Sequence, residues 1–220
     1  MTVILMLSMI VTFLALEGFV QRSRARRSAA GEALPAGPPA GFLLAPNHTW
    51  VKEEKEGVLV GVDEFIARIV GAASSVMLPD AGATVSPGSP SFALARGGRH
   101  IRFASPVQGR VLEVNRRLVD NPALARMDPY GGGWLLRIAP DRRRSAMPAL
   151  TGERARAWLA GQLASAREFL TAAAHGALSP SLPDGGELVE GALMHCDAAV
   201  WREFERRFTS IGAAMPADGE

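Results

Sequence analysis

Ser105-Pro106-Val107-Gln108-Gly109-Arg110-Val111-Leu112-Glu113-Val114-Asn115 is the stretch on which the fold of this chain turns. Pro106 restricts its own φ and Gly109 frees the backbone, so the two bracket a turn. Gly109 to Val114 then has the composition of a half-buried strand. Asn115 tolerates the left-handed conformation and is expected to end that strand. Short apolar runs between Gly, Pro, Asn and Asp recur on both sides. Val58–Val62, Ser91–Leu94, His100–Phe103 and Trp134–Ile138 all read as strands. Val51 to Gly57 (VKEEKEG) reads as an early hairpin with a solvated, charged turn. One short helix is expected from Asp63 to Val70, with Asp63 as N-cap and Phe65, Ile66 and Ile69 on one face. Many short strands with frequent turns over residues 42–140 imply a small barrel or sandwich.

Beyond Pro140 the periodicity changes. From Thr151, a reasonable N-cap, to Ala174, the residues Ala155, Trp158, Leu159, Leu163, Ala166, Phe169 and Leu170 recur at helical spacing, and Gly176 and Pro180 end the run. Asp197 to Phe208 reads as a second helix, with Val200, Trp201, Phe204 and Phe208 on one face. Residues 141–210 thus form a C-terminal helical region, and 211–220 a flexible tail.

At the other end, Val3 to Leu16 carries no charge, and about 18 residues of helix cover roughly 27 Å, close to a hydrocarbon core. The run is apolar all round, unlike an amphipathic core helix. No basic residue precedes it, unlike a cleavable signal peptide. Residues 1–20 are therefore expected to form a single transmembrane helix. Arg22, Arg24, Arg26 and Arg27 follow, which places the rest of the chain on the cytoplasmic side of an inner or plasma membrane. Glu17 is either an interfacial carboxylate or a polar contact to another membrane subunit. Residues 21–41 are this basic segment and an Ala/Gly/Pro linker.

Over about 95 residues the strand-rich block resembles the H protein of the glycine cleavage system. Asn47-His48-Thr49-Trp50-Val51 is similar to that family's His-Glu-Trp-Val opening, with Thr49 in place of the acid. Gly61-Val62-Asp63-Glu64-Phe65 with Ala67, and Leu78-Pro79-Asp80-Ala81-Gly82-Ala83-Thr84-Val85 with Gly88, follow in the family's order. The Ser105–Asn115 segment, Asp120–Leu124 and Asp128-Pro129-Tyr130-Gly131-Gly132-Gly133-Trp134-Leu135 complete the resemblance. It implies a mainly β, lipoyl-like barrel-sandwich hybrid domain, α+β overall once the transmembrane and C-terminal helices are included. His48, Trp50, Pro79, Gly82, Pro106, Gly109, Asn115, Asp128, Pro129, Tyr130, Gly133 and Trp134 are expected to maintain that fold.

The resemblance also implies a lipoyl-lysine in a tight turn, seven residues before Ser105. That position is Gly98, within Ala95-Arg96-Gly97-Gly98-Arg99-His100. Lipoylation needs a primary amine, and the permanently protonated guanidinium of Arg99, one residue on, is no substitute. Among 24 Lys and Arg residues only Lys52 and Lys55 are lysines, and both belong to the early hairpin. No cofactor is therefore expected, although lipoate is usual for the family. Gly97-Gly98 suits a two-residue hairpin turn, with Arg96, Arg99, Arg102 and His100 making its surroundings basic. That turn is either a bland loop tip or a docking point for an acidic surface.

Other chemistry is sparse. His195-Cys196-Asp197 offers three ligand types, but consecutive residues rarely converge on one zinc ion, and His175 suits a helix C-terminus. No metal site, phosphate loop, nucleophile elbow or paired-His helix motif is evident, and a net charge of +2 gives no sign of nucleic acid as a partner. The expected function is non-catalytic: a non-lipoylated scaffold or accessory subunit of a membrane complex, of the redox or energy-converting kind. The alternatives are a membrane-tethered lipoyl carrier and a sensor using the basic hairpin.

Overall fold

Short, turn-punctuated apolar runs become nine strands in the computed structural model, which describes residues 37–87, 89–141, 148–176 and 190–209. The early hairpin pairs β2 (Thr49–Glu54) with β3 (Gly57–Val62), Glu54 lying opposite Gly57, so Lys55 and Glu56 make the turn. Val58 to Val62 are all buried, as suits a central strand covered on both faces. The larger sheet has the order β1-β2-β3-β9-β8-β5, with β1 at Phe42–Leu44, β5 at Thr84–Val85, β8 at Gly109–Val114 and β9 at Leu136–Pro140. The smaller sheet has the order β4-β6-β7, with β4 at Ser75–Met77, β6 at Pro90–Arg96 and β7 at Arg99–Ala104. The mainly β architecture with C-terminal helices follows the expectation from sequence.

The motif residues knit these strands together. Trp50, fully buried, donates its indole N–H to Val62 O (2.9 Å) and Pro129 O (3.1 Å), joining β2 to the turn at Asp128. In that turn Gly131 N and Gly133 N both donate to Asp128 O (3.2 and 2.8 Å). Tyr130 packs edge-on to Phe42. Ser105 Oγ donates to Val107 O (2.6 Å), shaping the bend at Pro106 before Gly109 opens β8. Pro79 and Gly82 lie between β4 and β5, where Gly82 N donates to Val111 O (2.8 Å).

Three short strands (β1, β4, β5) and two short helices, α2 (Arg116–Asp120) and α3 (Leu124–Met127), add to the expected elements. Two expectations are corrected. Asn115 is not left-handed: its φ is −73°, and its side-chain amide donates to Gly132 O (2.9 Å) and Trp134 O (2.7 Å). That carboxamide occupies the Trp134 carbonyl, and β9 starts at Leu136 rather than at Trp134. Trp134 is half-buried and lies 5.8 Å from the Arg137 guanidinium. Among the described residues the left-handed non-glycine residue is His48, with φ 60°.

His48 is also fully buried. Its Nδ1 pairs with Asp63 Oδ2 at 2.7 Å, while Asp63 Oδ1 accepts from Ile66 N (3.1 Å) and so caps helix α1 (Glu64–Val70) as anticipated. The imidazole lies between Phe65 of α1 (4.1 Å between centroids) and Trp158 (4.7 Å). Trp158 belongs to helix α4 (Gly152–Gly176), whose Ala155, Leu159, Leu163, Ala166 and Leu170 are buried as their spacing requires. His175 lies in its last turn. Residues from α4 and from the C-terminal segment share one hydrophobic cluster with both sheets.

Among the described residues no helix is long and apolar enough to cross a membrane. The span expected at residues 1–20, with Glu17, the arginines at 22–27, most of the 21–41 linker, Gly88 and the 211–220 tail, lies outside the described residues. The described chain begins at Gly37, which is buried and donates its N–H to Glu64 Oε1 (2.8 Å).

Because Asp63 serves two buried donors at once, Asp63→Ala should destabilise the protein by about 3 kcal/mol, combining a lost cap with an orphaned buried imidazole. Urea denaturation checks this; a loss under about 1 kcal/mol, the scale of a single cap, would contradict the assigned role.

Candidate functional site

The β6–β7 hairpin carries the position of interest. Arg96 faces Arg99, and the two residues between them have positive φ, 57° at Gly97 and 76° at Gly98, as a type I′ turn requires. The tip is exposed, and a side chain added at Gly98 would meet open space. One at Gly97 would strike Met194, so the C-terminal segment reaches the turn itself.

That segment consists of a 3₁₀ turn (Ala192–His195), helix α5 (Ala198–Phe204) and a π turn (Glu205–Thr209). The second expected helix is therefore shorter than 197–208, and its last turn widens to the π form. Asp197 caps α5 by accepting from Ala199 N and Val200 N, both at 2.8 Å. Trp201, Phe204 and Phe208 are buried, as their common face suggests. Phe204 and Phe208 stack at 4.7 Å between centroids and lie against Phe65 of α1.

The arginines around the hairpin are tied into the fold. Arg96 Nη1 donates to Val70 O (2.6 Å), its guanidinium passing beside Gly71 and Gly191, where any Cβ would collide with it. Gly71 has φ 74° and closes α1, so this close approach needs glycine for two reasons. Arg99 Nη1 donates to Cys196 O and lies 5.8 Å from the Trp201 ring. Arg102 binds Glu205 through Nε to Oε1 (2.8 Å) and Nη2 to Oε2 (3.2 Å). Of these three arginines, Arg102 alone meets a carboxylate, while Arg96 and Arg99 are held in place by backbone carbonyls.

These contacts do something further. β7 is the outer strand of its sheet, and its backbone would otherwise offer unpaired groups to another chain. His100 O accepts from Trp201 Nε1 (2.8 Å), and Arg102 N donates to Glu205 Oε1 (2.9 Å). Side chains of α5 and the π turn therefore close the edge that a strand would otherwise extend. Burying the three aromatic rings contributes about 2–3 kcal/mol each before entropic costs.

Burial raises the Glu205 carboxyl, but the side-chain and backbone hydrogen bonds from Arg102 outweigh it and hold the group below its usual range. Burial, and secondarily Asp197, pushes the Cys196 thiol up, and Cys196 Sγ points at Ala192 O (3.7 Å). With Asp197 committed to capping, His195-Cys196-Asp197 does not converge. Among the described residues no three His, Cys, Asp or Glu side chains could hold a metal. Of the lysines, Lys52 lies on β2 near Glu54 (3.7 Å), and Lys55 is exposed in the β2–β3 turn. The aromatic face of α5 was visible in the sequence. Its partner, the β7 edge, was not, because no local pattern couples residues a hundred positions apart.

The family model described as Glycine cleavage H-protein matches residues 43–160, from β1 into α4. The glycine cleavage system H protein of Pseudoalteromonas atlantica is 40% identical over 108 residues, covering 47% of this chain and 81% of that protein. That of Escherichia coli is 35% identical over 101 residues, covering 46% and 78%. A solved H-protein structure from Mycobacterium marinum shows 29% identity and a TM-score of 0.49, covering 56% of this chain and 97% of that one. The segment 190–209 that closes the hairpin lies beyond the matched region.

The Arg102–Glu205 pair sets a pH dependence. Glu205 titrates lower in the folded chain than its ordinary value of 4.5. The unfolded chain therefore takes up this proton first as pH falls. The stabilisation is complete above that value and is lost as pH drops through the lower folded-state value. Thermal melts from pH 7 to pH 3 should show Glu205→Gln lowering Tm by roughly 1–3 °C at neutral pH, the difference vanishing in acid. A constant difference across the range would contradict it.

Proposed function

The chain belongs to the glycine cleavage H-protein family, and from that premise we propose that it is a non-lipoylated member serving as a scaffold or accessory subunit. Proteins of this family are carriers rather than catalysts, and the chain is not an enzyme. One observation carries the proposal. The hairpin where the resemblance places the lipoyl-lysine ends in Gly97-Gly98 and is strapped down by Met194, Cys196, Trp201 and Glu205. A swinging arm needs an amine at a presented tip; here the tip has no amine and its strand is fixed to a segment outside the family match.

Neither lysine offers a substitute at that tip. Lys52 and Lys55 belong to the opposite sheet's β2–β3 hairpin, among Glu53, Glu54 and Glu56. The apolar run at Val3–Leu16 and the arginines after it support an N-terminal anchor that holds this module at the cytoplasmic face of a membrane. The partners are then other subunits of a membrane complex, with redox or energy-converting assemblies as the class first to be examined.

Extraction of the native protein in mild detergent should yield an assembly larger than one chain with its micelle. A solitary monomer on size-exclusion chromatography with light scattering would sink the subunit role. The competing role, a membrane-tethered lipoyl carrier, predicts that the gene restores growth on glycine as one-carbon source to a strain lacking its own H protein. We expect no growth.

A further inference from the structure

A second group of positive charges lies beside the covered edge. Where the π turn lies along β7, a cleft of about 370 Å³ opens to solvent, within the range that small ligands occupy. Arg102 from β7 and Arg202 and Arg206 from the C-terminal segment line it, with Glu205 as its one carboxylate. Pro90 and Ala104 supply apolar wall.

The charges do not cancel. Arg102 spends its Nε and Nη2 on Glu205, and Arg206 spends its Nε and Nη2 on Glu203, which is outside the lining, so each keeps Nη1 for a ligand. Arg202 meets no carboxylate among the described residues; its Nε donates to Ala198 O (3.3 Å), which leaves the two terminal nitrogens to face a ligand. With both glutamates counted, the site retains one positive charge, and it retains two within the lining itself. Guanidinium groups brought from a strand and a helix to one cleft can give paired N–H donors to more than one oxygen of a tetrahedral anion, which a single carboxylate cannot use as fully. The volume exceeds that of a bare anion, and the apolar wall gives an organic group somewhere to lie.

We propose that this cleft binds a phosphate ester, its phosphoryl oxygens held by Arg202 and Arg206 beside Arg102 and its organic part against Pro90 and Ala104. The phosphate could be carried by a soluble metabolite-sized ester or by a lipid headgroup; the chemistry recognised is the same. The site is independent of the lipoyl question, since none of its residues belongs to the Gly97-Gly98 turn.

The test is isothermal titration of the full-length chain in neutral detergent with glycerol 3-phosphate at low ionic strength, with acetate as the carboxylate control. Saturable binding of the phosphate ester, tighter than that of acetate, is expected. Arg202→Ala and Arg206→Ala should each weaken it roughly tenfold. Near-UV circular dichroism monitors the fold; a variant that has lost its signal is replaced by Arg202→Gln or Arg206→Gln, for which the same weakening is expected. Adding phosphatidylglycerol to the micelles then separates the sources: competition identifies a lipid headgroup, and no competition a soluble ester. Absence of saturable binding, equal affinity for acetate, or unchanged affinity in both folded arginine variants would overturn the proposal.

Discussion

The buried contact between His48 and Asp63 is the constraint from which the rest of the described structure can be followed. Asp63 uses one oxygen for the imidazole and the other for the Ile66 N–H in the first turn of α1. An ionisable pair removed from water is stable only when its remaining polar groups are met. Here the carboxylate is met twice, while His48 Nε2 finds no partner among the described residues. The pair holds His48 in a left-handed conformation between β1 and β2 and holds α1 in register beside it. α1 then packs beside α4, and its Phe65 lies against Phe204 and Phe208. Its last carbonyls accept Arg96 and help to set Gly191. The β module and the C-terminal segment are thus joined through one short helix.

That junction ties the residues of the family match to those beyond it. The residues matching the H-protein family build the sheets, the Trp50 hub and the Asp128 turn. Those beyond the match close the β7 edge and occupy Arg99 and Arg102, while Arg96 is held within the matched region by Val70 O. A mobile tip and a closed edge are opposing demands on one hairpin. In this chain the edge is closed, by Trp201 on His100 O and by Glu205 on Arg102 N.

Much of this was legible in the residues. The Pro106–Gly109 turn, the β8 strand, the Asp63 cap, the α4 stripe and the Gly97-Gly98 turn depend on neighbours a few positions away, and local physics suffices for them. What escaped depends on distance in sequence. Asn115 was expected to turn the chain by its own backbone; instead its side chain captures carbonyls near Trp134. His48 gave no sign of positive φ, since its partner Asp63 lies on another element. The arginines around the hairpin read as a free basic surface because Val70 O, Cys196 O and Glu205 are remote in the chain. The cleft at Arg202 was hidden for the same reason.

The central claim is that the Gly97-Gly98 hairpin carries no lipoyl group and that no lysine elsewhere takes its place. Intact-mass spectrometry of the protein purified from cells that lipoylate their other acceptors addresses it most directly. The account predicts the mass of the unmodified polypeptide. An added mass of one lipoyl amide, mapped by peptide sequencing to Lys52 or Lys55, would contradict it.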